Sequence, residues 1–301
     1  MSYLKSSYNL CVLDLPKEFK IAQGEAYDLL KARKFVDLTP SQDFGHGWTA
    51  IHSIFKTDFT MEDSVAAGYV IGGYRYDQKI VPKPLIKKLY LERKAEREKE
   101  LGCKLEKAEK LVLKEECKSQ MIMKALPNPK ILTWILDLEN NKVYLDTKSD
   151  KILEKFITLF SETFETDLTF KNYGLIADEM IKFLEWIWKS ANKLETTWLE
   201  QSLTLDVDKN TFKFAGPDMG NYMKEIESIK PGKNIKNLGI GTALGKSDYS
   251  VTFSNKNLIV SVANKVKIKH ESVETAIIDV ADSIINVSDK IQKMVNQYLS
   301  E

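Results

Sequence analysis

The 301-residue chain is poor in the side chains that do chemistry near neutral pH, with only three histidines and three cysteines. So few candidates leave no Ser-His-Asp or Cys-His constellation to argue for. Cys11, Cys103 and Cys117 are odd in number, scattered and without a CxxC pair, which excludes a disulfide framework and reads as reduced thiols. Long hydrophobic runs are also missing. No stretch approaches the roughly 20 apolar residues that a membrane helix needs. The opening MSYLKSSYNLCVLDL has neither a long apolar core nor a small-residue cleavage site, so no signal peptide is expected. The expected location is therefore cytoplasmic. Net charge is nearly absent as well: +1 overall says nothing about partners. There is no internal repeat and no low-complexity linker.

What is present is enough apolar material, 43%, for a real core. NLCVLDL reads as an opening strand and GEAYDLLKARKF as a helix. SVAAGYVIGGYRYDQKIV, rich in Tyr, Val and Gly, reads as a strand or hairpin. ILTWILDL and KVYLDT alternate around Glu139-Asn140-Asn141, a β-hairpin signal. SDKILEKFITLFSETF and DEMIKFLEWIWKSANKL carry helical apolar spacing, and SLTLDV, TFKFAG, SDYSVTF and NLIVSVANKVKI are strand-like. ETAIIDVADSIINVSDKIQKMVNQYL closes the chain as an amphipathic helix. Strands and helices in mixed order, without steady βαβ alternation, indicate an α+β fold.

One stretch breaks the charge balance. Residues 82–129 carry thirteen lysines and arginines against eight glutamates, leaving this stretch at +5 and the rest of the chain at −4. Pro82 and Pro84 suit a helix start, Gly102 a left-handed helix end, and Pro127 and Pro129 limit any continuation. The chain accordingly divides into an N-terminal α+β part, 1–81, a charged helical hairpin, 82–129, and a second α+β part, 130–301. Between Glu92 and Glu100 the only apolar residue is Ala95, so the first helix should project into water there. Lys87, Arg93, Lys94 and Arg97 share a sector of it. On the second helix, expected from about Lys104, Lys107, Lys110, Lys114 and Lys118 fall within roughly an 80° stripe about 17 Å long. Leu105, Ala108, Leu111 and Val112 lie to one side and are expected to pack on the first helix. The wheel alone leaves two readings open: a solvated surface face, or a row of like charges meant to be neutralised by phosphates.

The same residues carry a resemblance. DQKIVPKPLIKKLYLERKAEREKE, the glycine turn, LEKAEKLVLKEECKSQMIMKAL and TWILDLENNKVYLDTKSDKILEKF resemble the recombination-associated RdgC family. They contain its K-x-x-P-x-x-x-x-K segment (Lys79, Pro82, Lys87) and its Trp-containing hairpin (Trp134 to Asp146). SQDFGHGW, residues 41–48, and FLEWIWKSA, residues 183–191, resemble further elements of that family, and beyond Asn192 the likeness thins. The resemblance implies a ring-shaped homodimer around double-stranded DNA, nucleoid-associated, binding without base specificity and opposing RecA-type recombinase filaments. It implies DNA contact by Lys87, Arg93, Lys94, Arg97, Lys107, Lys110, Lys114, Lys118 and Lys124. Where the family has an arginine and an aromatic residue after the second helix, this chain reads MIMKALP. Met121, Met123 and Leu126 are then the expected dimer contact.

No catalytic residue, cofactor or metal site is expected. GIGTALGKS, residues 239–247, misses the P-loop spacing, because Ile240 stands where the first glycine belongs, and it reads as a turn between strands. Pro217-Asp218 is followed by E-x-x-K within EIESIK, not the D/E-x-K of a metal-dependent nuclease. Asp137 and Asp146 read as solvent-facing strand residues. His46 and His52, near Asp43, and the isolated His270 read as ordinary turn or surface residues. Tryptophans 134, 186, 188 and 198, with apolar neighbours, read as core packing and not as base-stacking platforms. Two alternatives to a DNA-binding ring stay open: an exonuclease or nuclease-associated subunit, and a module whose charged hairpin binds a protein.

Overall fold

A computed structural model describes residues 7–51, 57–170, 172–190, 194, 196–207, 210–215, 234–244, 247–254, 260–264 and 273–301. These hold twelve strands and six helices in mixed order, so the α+β expectation is met. They group into two compact units that interleave along the chain. One comprises Met1–Leu29, Thr60–Gly72 and Leu132–Glu301; the other comprises Leu30–Phe59 and Gly73–Ile131. Among the described residues no helix is long and apolar enough to cross a membrane.

The first unit is built on an antiparallel sheet. Strand β1 (Ser7–Asp14) lies between β6 (Lys142–Asp146) and β12 (Val260–Asn264), so the first described strand of the chain and the last are neighbours. On one side the order continues from β6 to β5 (Pro127–Asp137). On the other it runs through β11 (Ser247–Ser254), β10 (Asn234–Leu244), β8 (Thr197–Val207) and β9 (Asn210–Ala215). The two-residue β7 (Thr169–Phe170) adds to β1. The expected hairpin is present: Asp137 pairs with Lys142, and Asn141 takes a left-handed φ of 52°.

Helix α4 (Asp150–Phe164) shows why the periodicity was readable. Leu153, Phe156, Leu159, Phe160, Thr163 and Phe164 recur at helical spacing, and all six are buried. The fully buried Trp134 of β5 packs against Phe156, Phe160 and Phe164 with ring centroids 6.1, 5.9 and 6.5 Å away. A second aromatic group joins Phe183 and Trp186 of α5 (Ala177–Ser190) to Phe253 of β11 and Tyr298 of α6 (Val273–Ser300).

In the second unit β2 (Phe44–Thr49) pairs antiparallel with the later half of β4 (Tyr69–Lys79), from Phe44 opposite Gln78 to Thr49 opposite Gly73. Side chains alternate across this ribbon. Phe44, His46 and Trp48 share one face with Tyr74 and Tyr76, their rings in contact. On β4's other face Arg75 forms a buried two-point pair with Asp77, at 2.9 and 2.8 Å, and its guanidinium lies 3.9 Å from the Phe35 ring centre. A buried charge is tolerated only when it is paired and hydrogen-bonded in this way.

Candidate nucleic-acid interface

The second unit also carries the charged hairpin, α2 (Lys83–Leu101) and α3 (Lys107–Lys124). Pro82 sits at the N-cap of α2, and Gly102 ends it in the left-handed conformation at φ 66°, which glycine adopts without the Cβ clash. Helix α3 starts at Lys107, later than its charge pattern suggested, because Glu106 caps it and its N–H donates to Glu109 Oε2 at 2.8 Å. No residue of α2 is buried. Its polar stretch does remain in contact with water, as its lack of an apolar stripe predicted.

The packing face of the hairpin meets the expectation at Leu105 and corrects it at Ala108, Leu111 and Val112. The buried residues are Leu105, Leu113 and Cys117, with Leu89 and Tyr90 of α2 against them. Leu111 and Val112 are instead 61% and 57% exposed, and Ala108 is exposed too. Leu113 and Cys117, four residues apart, make one row along the helix. Val112 and Leu111 lie about 100° and 160° round from Leu113 at helical pitch, so they cannot share that row.

The nine basic residues fall into two groups. Lys87, Lys107, Lys114, Lys118 and Lys124 are exposed, while Arg93, Lys94, Arg97 and Lys110 are half-buried. Arg97 reaches across the hairpin to Glu116 at 3.0 Å. Lys94 lies 3.7 Å from Glu98, whose carboxylate also accepts the Leu105 N–H at 3.1 Å, and Lys118 lies 3.6 Å from Glu115. Lys87, Arg93, Lys107, Lys110, Lys114 and Lys124 form no ion pair among the described residues. The more exposed pairs, Arg97–Glu116 and Lys118–Glu115, contribute only about 0–1 kcal/mol each, so a phosphate could displace the glutamate there at little cost. Sequence reading missed these partners. The Lys94–Glu98 spacing of four was a visible signal, whereas Arg97 and Glu116 stand nineteen residues apart and meet only once the hairpin closes. Of the expected dimer contacts, Met121 is half-buried, Met123 exposed, and Leu126 87% exposed.

The other candidates take structural places. Asp137 is not solvent-facing. It is buried, and its carboxylate accepts the N–H groups of Glu139 and Asn140, both at 3.0 Å, because the tight turn leaves those donors without strand partners. Asp146 is half-buried and accepts the Asn9 backbone N–H at 2.8 Å, tying β6 to β1. His46 belongs to β2, not to a loop, and its Nδ1 lies 2.8 Å from the Tyr74 hydroxyl. Burial pushes the Tyr74 phenol well above its usual range, so it stays neutral. Burial likewise pushes the Cys11 thiol up to about 12, which removes it as a nucleophile.

Of the glycines of GIGTALGKS, Gly239 and Gly241 lie inside β10. An added Cβ at Gly241 would collide with the Trp198 indole, so close packing accounts for it. The stretch joins β10 to β11, with Leu244 opposite Ser247, where a P-loop would lead into a helix. Trp134 and Trp188 are buried; Trp186 is half-buried, and its indole N–H donates to Glu301. His52, His270, Pro217-Asp218, the E-x-x-K stretch and residues 245–246 lie outside the described residues. Among the described residues no group of three or more His, Cys, Asp or Glu is placed to hold a metal ion.

A family model described as "Putative exonuclease, RdgC" matches residues 8–240. No curated protein matches the chain. The match spans both hairpins and runs beyond Asn192 into β10, further than the resemblance by motif reached. The chain belongs to the RdgC family.

Proposed function

We propose that this protein binds double-stranded DNA without sequence preference, as a ring-forming homodimer that limits access of a RecA-type recombinase in the nucleoid. The observation that carries this reading is the row Lys107, Lys110, Lys114 and Lys118 on α3, in which the first three residues form no ion pair among the described residues. Like charges so placed repel, and phosphates would relieve that repulsion while releasing counterions. Lys87, Arg93, Lys94, Arg97 and Lys124 extend the same contact. None reads a base, since single cations on phosphate oxygens position a duplex without informing on its sequence. The exposed Met123 and Leu126, with Met121, supply the apolar contact between copies.

The test is fluorescence anisotropy of a labelled mixed-sequence duplex over several salt concentrations. Wild type would be compared with a folded variant in which Lys107, Lys110, Lys114 and Lys118 become Glu. Wild-type affinity should fall steeply with salt, and the variant should lose most of its affinity with a shallower slope. Equal binding by both would place DNA elsewhere. The family description keeps a nuclease reading alive. Degradation of labelled duplex that depends on a divalent metal would establish it.

A further inference from the structure

Strand β4 ends at Lys79, and α2 begins four residues later at Lys83. Lys79 is the first basic residue of the K-x-x-P-x-x-x-x-K segment, and its place beside a basic helix invites a phosphate-contact reading. Its surroundings oppose that. Lys79 is only 8% exposed, and Nζ donates to the carbonyl oxygens of Pro40 at 2.7 Å and Thr39 at 3.1 Å. Its backbone N–H donates to the Asp43 carbonyl at 2.8 Å. The receiving turn is itself held, because the Thr39 N–H donates to Gln42 Oε1 at 2.9 Å and the Gln42 N–H to the Thr39 carbonyl at 3.2 Å. Two of the three ammonium donors are therefore committed inside the protein. Reaching a phosphate would take the ammonium donor from the Pro40 carbonyl and leave the Thr39 carbonyl with the Gln42 N–H alone.

We propose that Lys79 is a positioning residue for the DNA contact: it fastens the strand end from which α2 grows to the 39–43 turn, and the exposed Lys87 alone makes the phosphate contact of that segment. This rests on the DNA-binding reading. Only Ile80 to Pro82 separate the pinned strand end from the helix, and the proline ring fixes φ there at −59°. The direction of the first turn of α2 thus follows from where Lys79 is held.

Amine-directed labelling of folded wild type, read by mass spectrometry with and without mixed-sequence duplex, distinguishes the two lysines. Lys87 should label in the free protein and be shielded by duplex, while Lys79 should label about tenfold more slowly in both states, as a group reached only through local opening. A Lys79 that labels as fast as Lys87 and is shielded by duplex overturns the proposal. Without DNA, Lys79→Met should speed hydrogen exchange about tenfold at the amides of residues 39–43 and 79–90, and Lys87→Met should not. Unchanged exchange in Lys79→Met overturns it.

The folded Lys79→Met protein should also bind duplex about tenfold more weakly, with Lys79→Arg restoring affinity through its retained donors. A lowered melting temperature with affinity untouched reduces Lys79 to a structural clasp and sinks the positioning role. If Lys79→Met does not fold, wild-type labelling and Lys79→Arg decide. Failure of wild type to bind duplex at any salt defeats the DNA reading itself, and the exchange result then stands as a statement about the fold alone.

Discussion

Helices α3 and α4 are of similar length but bury very different faces. The fifteen residues of α4 bury six, five of them large and apolar, whereas the eighteen of α3 bury Leu113 and Cys117. At about 25 cal/mol per Å² of apolar surface, α4 is held by what it hides from water. The α2–α3 pair is held by a small apolar knot, a capped start, a glycine stop and ion pairs, which leaves most of its surface and charge facing solvent. An element stabilised this way keeps its outer side chains free for a partner.

That contrast can be broken or sharpened by substitution. Trp134→Ala, which empties the aromatic cluster over α4, should cost about 3–5 kcal/mol in a denaturant titration, the range for a large side chain lost from a closed core. Leu113→Ala should cost about 3 kcal/mol, near the low end for leucine, because the shallow knot can collapse or admit water. Its signature is faster hydrogen exchange confined to α2 and α3, with exchange in α4 unchanged. Equal effects on the two helices would mean that the hairpin is not energetically separate. Gly102→Val should cost about 1–2 kcal/mol, since a β-branched residue resists the left-handed conformation; the loss would be read as weaker protection of the last turn of α2. Smallest is Arg97 with Glu116. A double-mutant cycle should give a coupling of about 0.5 kcal/mol that fades as salt is raised, and a coupling well above 1 kcal/mol would mark the pair as part of the scaffold instead.

Features set by neighbours in sequence are legible in the sequence alone. The period of α4, the hairpin around Asn140, the Pro82 start and the Gly102 stop each depend on residues within a turn or two. The register of α3 was less so. Its charge pattern suggested a start near Lys104, whereas the cap at Glu106 starts it at Lys107, and Leu113 rather than Leu111 lies against α2. The family was readable because its motifs are local strings kept in order, and the match over residues 8–240 agrees. The candidate site was legible as a set of residue types but not in its state of pairing, because Arg97 meets Glu116 only after two helices fold back on each other.

By itself the sequence determined the helices, the turns and the concentration of positive charge, all fixed by backbone preferences and side-chain spacing over a few residues. The tertiary structure alone decided that β1 lies between β6 and β12, that Asp137 is buried under its own turn, and that Lys79 faces two carbonyls. Each of those depends on which distant segment closes over a residue and removes its water. A lysine in a basic string looks the same in sequence whether its ammonium ends in solvent or against the Thr39 and Pro40 carbonyls. Desolvation separates the two, and it is a property of the folded neighbourhood.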